Sequence, residues 1–139
     1  MLKLKGLTGG WGPTVIIENV DLSVAEGETL AIIGRNGVGK TTLLEMITGR
    51  ANQRAGNIYL HEADISSLAP HKRALLGVGH VPQEREVFRS LSVDEHLSIA
   101  ARAGEWNRDR VLDLFPSLAA RLNSLGSQLS GGEQQMLAI

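Results

Sequence analysis

No cysteine occurs in the 139 residues. That one absence removes disulfides, thiolate nucleophiles and cysteine-based zinc sites together, and it fits a reducing compartment. A charge bias is missing too. With 14 basic against 15 acidic residues the net charge is −1, so no bulk electrostatic pull toward nucleic acid or anionic lipid is expected. Nowhere do about 18 apolar residues run together, so no segment reads as a membrane span. The opening MLKLKGLTGG carries two lysines with no apolar run behind them, which is not the pattern of a signal peptide. Internal repeats and low-complexity linkers are absent. What remains is ordinary: 42% hydrophobic, 21% charged and slightly rich in glycine. A chain of this length has one-domain size, can bury a core, and reads as soluble or peripheral to a membrane.

The hydrophobic pattern moves between the two regular periods. LKLKGL alternates and predicts an edge strand; TVIIENVDLSV predicts a second strand, turned by AEGE. TLAIIG is a continuous apolar run, the mark of a strand covered on both faces. In GKTTLLEMITG, Leu43, Leu44 and Ile47 recur at helical spacing, and Gly49 is placed to stop the helix. GNIYL and VGHV predict short strands, with a short helix over APHKRALLG between them. SVDEHLSIAARA predicts a helix opened by a capping box of Ser92 and Glu95, with Val93, Leu97, Ala100 and Ala101 as its apolar stripe. NRDRVLDLF predicts another helix, ended by Pro116, and LAARLNSLG a weaker third. This order is α/β or α+β with a helical subdomain near residues 90–130.

Gly34 to Thr42, GRNGVGKTT, matches the phosphate-loop pattern G-x-x-x-x-G-K-[ST] between a buried-type strand and a helix. Each part has a physical reason. Gly34, Gly37 and Gly39 reach backbone angles closed to residues with a Cβ, so the amides of Arg35, Asn36, Val38 and their neighbours can converge on phosphate oxygens. The helix that follows points its N-terminal dipole at the same anion. Lys40 adds a cation for the β and γ phosphates, Thr41 a hydroxyl for Mg²⁺ and Thr42 a hydroxyl for the α phosphate. A glycine-rich turn with a solvated lysine is the plainer alternative. A chance match over this length is roughly 0.5% at average usage, so nucleotide binding is the stronger reading.

Near the end of the chain, Ser130-Gly131-Gly132-Glu133 satisfies a second capping-box pattern. Capping accounts for Ser130 and Glu133. It does not account for two glycines, each of which costs up to about 1 kcal/mol against alanine inside a helix. Two bare amides at a helix start suit close approach of an anion. The chain therefore carries two candidate phosphate-binding devices.

Taken together, GRNGVGKTT, VPQ and LSGGE resemble the ATP-binding cassette (ABC) transporter ATPases, whose signature is LSGGQ. Glu133 stands where glutamine is commoner. The resemblance covers nearly the whole chain, and GRNGVGKTTLLEMITG, VPQEREVF and LFPSLAARLNSLGSQLSGGEQQMLAI look most like the ATPase subunits of branched-chain amino acid importers, with urea and short-amide importers as near alternatives. It implies an α/β P-loop fold of ABC type: an ATP-binding core and β subdomain over about 1–85, and a helical subdomain with the signature over about 86–139. It also implies ATP and Mg²⁺ as ligands. Gln83 becomes the catalytic-loop glutamine that contacts Mg²⁺ and the attacking water, and Trp11 the aromatic that stacks on adenine. Ser130, Gly131, Gly132 and Glu133 would meet the nucleotide held by a second ATPase subunit, head to tail. Permease subunits are the implied membrane partner, nucleic acid is not, and the implied place is the cytoplasmic face of the membrane. Glu84 and Arg89 depart from the family pattern at the surface that would face the permease.

The resemblance also implies parts beyond LSGGE: a buried strand ending in Asp-Glu, which supplies a magnesium ligand and the general base, and a switch histidine. No such run follows within the 139 residues, and Val93-Asp94-Glu95 is a decoy on a helix start. Turnover by these residues alone is therefore expected to be very weak, because phosphoryl transfer rests on positioning and charge stabilisation. Leu30–Ile33 is expected to carry an unpaired edge, with poor solubility or rescue by dimerisation. A non-catalytic nucleotide-binding or interaction module is the rival reading. A DNA-repair ABC ATPase is set aside, since no heptad run and no basic bias separates the two motifs. His61, His71, His80 and His96 show no metal-ligand spacing and read as surface or satisfied histidines. Glu84, Arg85, Glu86 and Arg89 read either as a solvated loop or as part of a permease-facing groove.

Overall fold

A computed structural model describes residues 1–139. The chain divides into two units, Met1–His80 and Val81–Ile139. The first holds β1 (Leu2–Trp11), β2 (Thr14–Val24), α1 (Lys40–Thr48), β3 (Asn52–Leu60), β4 (Ala63–Asp64) and α2 (Pro70–Leu75). Its sheet is antiparallel in the order β2-β1-β3-β4. β1 is thus an interior strand, not the edge strand its sequence predicts. A register shift lies between Leu4 and Leu7. Strict alternation would put those two residues on opposite faces; the irregularity brings both into the core, where each is fully buried. Leu43, Met46 and Ile47 of α1 pack against them with Ile17 and Ile58, at the i, i+3, i+4 spacing of one helix face. Gly49 ends α1 in the left-handed conformation, as expected.

Three features of this unit were not legible. Leu30–Ile33 forms no strand: Leu30 and Ile32 are exposed and Ile33 is 91% exposed. A buried strand needs ladder partners on both sides, and the only sheet formed by these residues runs through β1 to β4. The expected unpaired strand edge is instead an exposed apolar stretch. VGHV forms no strand for the same reason. Arg73 is buried at 3% exposure, and burial lowers its pKa from the usual arginine value. It donates to the carbonyls of Met46 and Ile47 at 2.8 Å each, and to those of Leu68 and Ser66 at 2.8 Å, so it caps the C-terminal end of α1 from α2.

The second unit holds α3 (Val93–Ala100), α4 (Arg108–Leu114), α5 (Pro116–Ala119), a 3₁₀ turn (Gly126–Gln128) and α6 (Gly131–Ala138). Val93, Leu118 and Leu129 form its buried centre, with Leu97, Phe115, Leu122 and Met136 packed around them. The stripe predicted on α3 is shorter than expected: Val93 and Leu97 reach the core, but Ala100 and Ala101 are exposed. Both capping boxes form. Ser92 N–H donates to Glu95 at 2.7 Å, and Ser130 N–H to Glu133 at 2.7 Å, each with the reciprocal bond to the hydroxyl. No helix is long and apolar enough to cross a membrane.

Candidate functional site

The phosphate-loop residues open α1, and the local geometry follows from their side chains. Gly37 has φ +85° and Gly39 φ +97°, values that residues with a Cβ rarely adopt. At Gly39 space forbids one as well: a Cβ would lie 2.8 Å from Ile17 Cδ1 and 2.9 Å from Ile16 Cγ2. The loop therefore sits directly on β2. Gly39 is the N-cap of α1 and supplies no side-chain cap, and the first turn holds no acidic residue. The first backbone bond of the helix is Leu43 N–H to Gly39 O at 2.9 Å, so the amides of residues 40–42 have no acceptor within the helix. Lys40 Nζ donates to Gly34 O at 2.7 Å and Arg35 O at 2.8 Å, which holds its charge over the loop. Thr41 is exposed at this helix start, whereas Thr42 is buried at 7% exposure. An uncapped helix start, an adjacent ammonium and no carboxylate together fit a polyphosphate. The exposed Thr41 hydroxyl would offer magnesium an oxygen ligand, in keeping with that ion's preference for oxygen. No group of three His, Cys, Asp or Glu side chains is placed to hold a metal by itself.

Trp11 lies at the end of β1, pairs with Thr14 across the hairpin turn and is 45% exposed. The same hairpin carries Ile16 and Ile17, which touch the loop glycine, and Arg54 Nη2 steadies its tip through Gly12 O at 2.6 Å. An exposed indole thus sits on the strand pair that supports the phosphate loop.

Gln83 belongs to the second unit, in an exposed turn closed by Arg85 N–H to Pro82 O at 3.2 Å. Arg85 (φ +67°) and Glu86 (φ +47°) are consecutive left-handed residues without being glycine. Such residues cost on the order of 1–3 kcal/mol each and persist only where the surroundings impose them. Farther along, Phe88 N–H donates to His96 Nε2 at 2.9 Å while His96 Nδ1 lies 2.7 Å from Ser92 O. Those partners require the neutral imidazole with its proton on Nδ1, so His96 is a satisfied anchor of this loop.

Ser130 caps α6, and its hydroxyl accepts the Glu133 amide at 3.3 Å. The Ser130 amide, followed by its hydroxyl, holds the Glu133 carboxyl below its ordinary pKa, and Arg121 at 3.7 Å adds to this. The two glycines separate here. A Cβ on Gly132 would meet nothing within 4 Å, so nothing in the chain requires glycine there. A Cβ on Gly131 would lie 3.2 Å from both terminal nitrogens of Arg85. The sequence pattern treats the pair as one device; packing inside the chain gives Gly131 a reason of its own. No sequence signal marks the Arg85 contact, because a left-handed arginine leaves no trace in composition or spacing.

Comparison with known proteins follows the same lines. Residues 17–139 match the family model described as ABC transporter. The chain is 40% identical over 144 residues to a probable branched-chain amino acid transport ATP-binding protein LivF of Archaeoglobus fulgidus, covering 100% of this chain and 61% of that protein. It is 36% identical over 145 residues to the lipopolysaccharide export system ATP-binding protein LptB of Escherichia coli K12, covering 99% of this chain and 60% of that one. Its fold is similar to the dimeric post-hydrolysis state of the ATP-binding cassette MJ0796 bound to ADP and Pi, with TM-score 0.80 at 26% identity over 99% of this chain and 67% of that one. The chain thus spans about three fifths of the length of the curated relatives it matches.

Proposed function

The chain belongs to the ABC transporter ATP-binding family, and from that premise we propose that it is the nucleotide-binding part of an importer ATPase, which couples binding and hydrolysis of MgATP to solute movement through a permease. The observation that carries this is the start of α1: uncapped, free of carboxylate, held open by left-handed glycines and topped by Lys40. In this reading the amides of residues 34–42 bind the phosphates and Lys40 neutralises their charge. Thr41 and Gln83 are the metal ligands, and magnesium, when bound, supplies charge neutralisation at the phosphates. Trp11 orients the base by stacking. Gln83 holds the attacking water for the catalytic step. Ser130, Gly131, Gly132 and Glu133 face the nucleotide of a second ATPase subunit, and the open space at Gly132 supports that role.

Branched-chain amino acids are the solute we favour, because the relative at 40% identity carries that name. The exporter relative at 36% shows that the motifs alone do not separate solutes. The placement is the cytoplasmic face of the membrane, bound to the permease.

The test is ATP titration by calorimetry with magnesium present. Lys40→Ala is expected to weaken binding by about tenfold to a hundredfold, the range for a lost charge-assisted hydrogen bond. Affinity unchanged by that substitution would end the proposal. For the solute, hydrolysis by the intact transporter should rise with leucine, isoleucine or valine on its binding protein; stimulation only by urea or an amide would reassign it.

A further inference from the structure

Resting on that reading, we infer that Arg85 is a positioning residue that ties the Gln83 turn to the start of α6, so that the turn and Ser130–Gly132 move together. Four observations meet here. The two left-handed residues Arg85 and Glu86 turn the loop back on itself two residues after Gln83. The Arg85 guanidinium then lies over Gly131, at 3.2 Å from where a Cβ would stand, with Nη1 3.5 Å from Gln134 Oε1. Gln134 Nε2 passes the link on to Gly126 O at 2.9 Å. The far end of the same loop is bonded to the same segment: Gly126 N–H donates to Leu91 O at 2.8 Å and Ser127 N–H to Arg89 O at 3.1 Å.

Helix stability does not explain this. A cation at a helix N-terminus faces the positive end of the dipole and is disfavoured there. Backbone strain that is held against a local penalty points to a constraint imposed for function. The planar guanidinium covers a glycine face, a geometry that a lysine ammonium does not reproduce. A Cβ at Gly131 would press on the Arg85 guanidinium, which would have to shift by a few tenths of an ångström to make room.

The experiment uses the intact native protein with Arg85→Ala, Arg85→Lys, Gly131→Ala and the double variant Arg85→Ala/Gly131→Ala. Amide hydrogen exchange and steady-state ATP hydrolysis are read side by side. Arg85→Ala is expected to raise exchange at 130–134 by about tenfold while residues 40–48 exchange as before, and to lower kcat by about tenfold with KM for ATP within about twofold. Arg85→Lys should leave exchange raised. Gly131→Ala should act in the same direction more weakly, and its effect should vanish once Arg85 is alanine. Unchanged exchange at 130–134 in Arg85→Ala, additive effects in the double variant, or a rise in KM at constant kcat would overturn the inference. ATP binding that proves independent of Lys40 would instead overturn the proposed function, and the exchange comparison would still decide whether Arg85 holds the two segments together.

Discussion

Two helix starts rich in glycine sit in this chain, and they handle their unpaired amides in opposite ways. At α1 no side chain caps the helix, and the amides of residues 40–42 have no acceptor within it. At α6 the Ser130–Glu133 box takes up the amides of both residues, leaving only those of 131 and 132 before the first helical bond, Gln134 N–H to Ser130 O at 2.9 Å. The first start leaves those amides to partners from outside the chain, water or an anion. The second is a self-sufficient helix that offers a bare approach. Similar glycine usage therefore serves two designs: at α1 Gly37 and Gly39 make the backbone angle possible, while at α6 Gly132 keeps space clear.

The contrast can be broken or sharpened by substitution. The largest effect is expected at Gly39. Alanine there meets both a φ of +97° and the two isoleucine side chains of β2, so Gly39→Ala should lose about 2 kcal/mol of unfolding free energy in a denaturant titration, together with nucleotide binding. Full stability in that variant would mean that the loop relaxes freely and is not set by β2.

Ser130→Ala should cost about 1 kcal/mol, the usual value of an N-cap. Its pH dependence is the sharper test. Glu133 has a depressed folded pKa, so its contribution is present above the ordinary carboxylate value of 4.5 and is lost as pH falls through the lower folded value. Glu95 behaves alike on α3. Helicity followed by circular dichroism should therefore decline below about pH 4.5, and less steeply in Glu133→Gln. An identical acid limb in that variant would remove the capping carboxylate from the account.

The smallest effect on stability belongs to Gly132. With open space around its Cβ position, Gly132→Ala should be neutral or gain up to about 1 kcal/mol of helix propensity, while hydrolysis by the dimer proposed above should fall. Unaltered hydrolysis would mean that the bare approach at α6 serves no ligand.

Much of both helix starts was legible. The helix start after the glycine-rich loop, the two capping boxes and the Gly49 stop are legible because each depends on residues within a few positions of one another, and the backbone offers few solutions at that range; Gly34, expected to need the same freedom as Gly37 and Gly39, has no positive φ. The strand readings fared less well. LKLKGL alternates like an edge strand, yet a register shift and two neighbours make β1 interior. Nothing local marks Arg73, and only the fold shows it buried against four carbonyls.

By itself, then, the sequence determined the glycine-rich start of α1, the caps and the membership in the ABC transporter family, since these rest on local motifs and local backbone chemistry. Tertiary structure alone decided that Leu30–Ile33 stays out of the sheet, that Gly131 lies under Arg85 while Gly132 stands clear, and that Leu4 and Leu7 share a face. Each of those outcomes depends on which distant segment comes alongside. Ladder partners, steric neighbours and bulges are pairwise facts that no single stretch of residues contains.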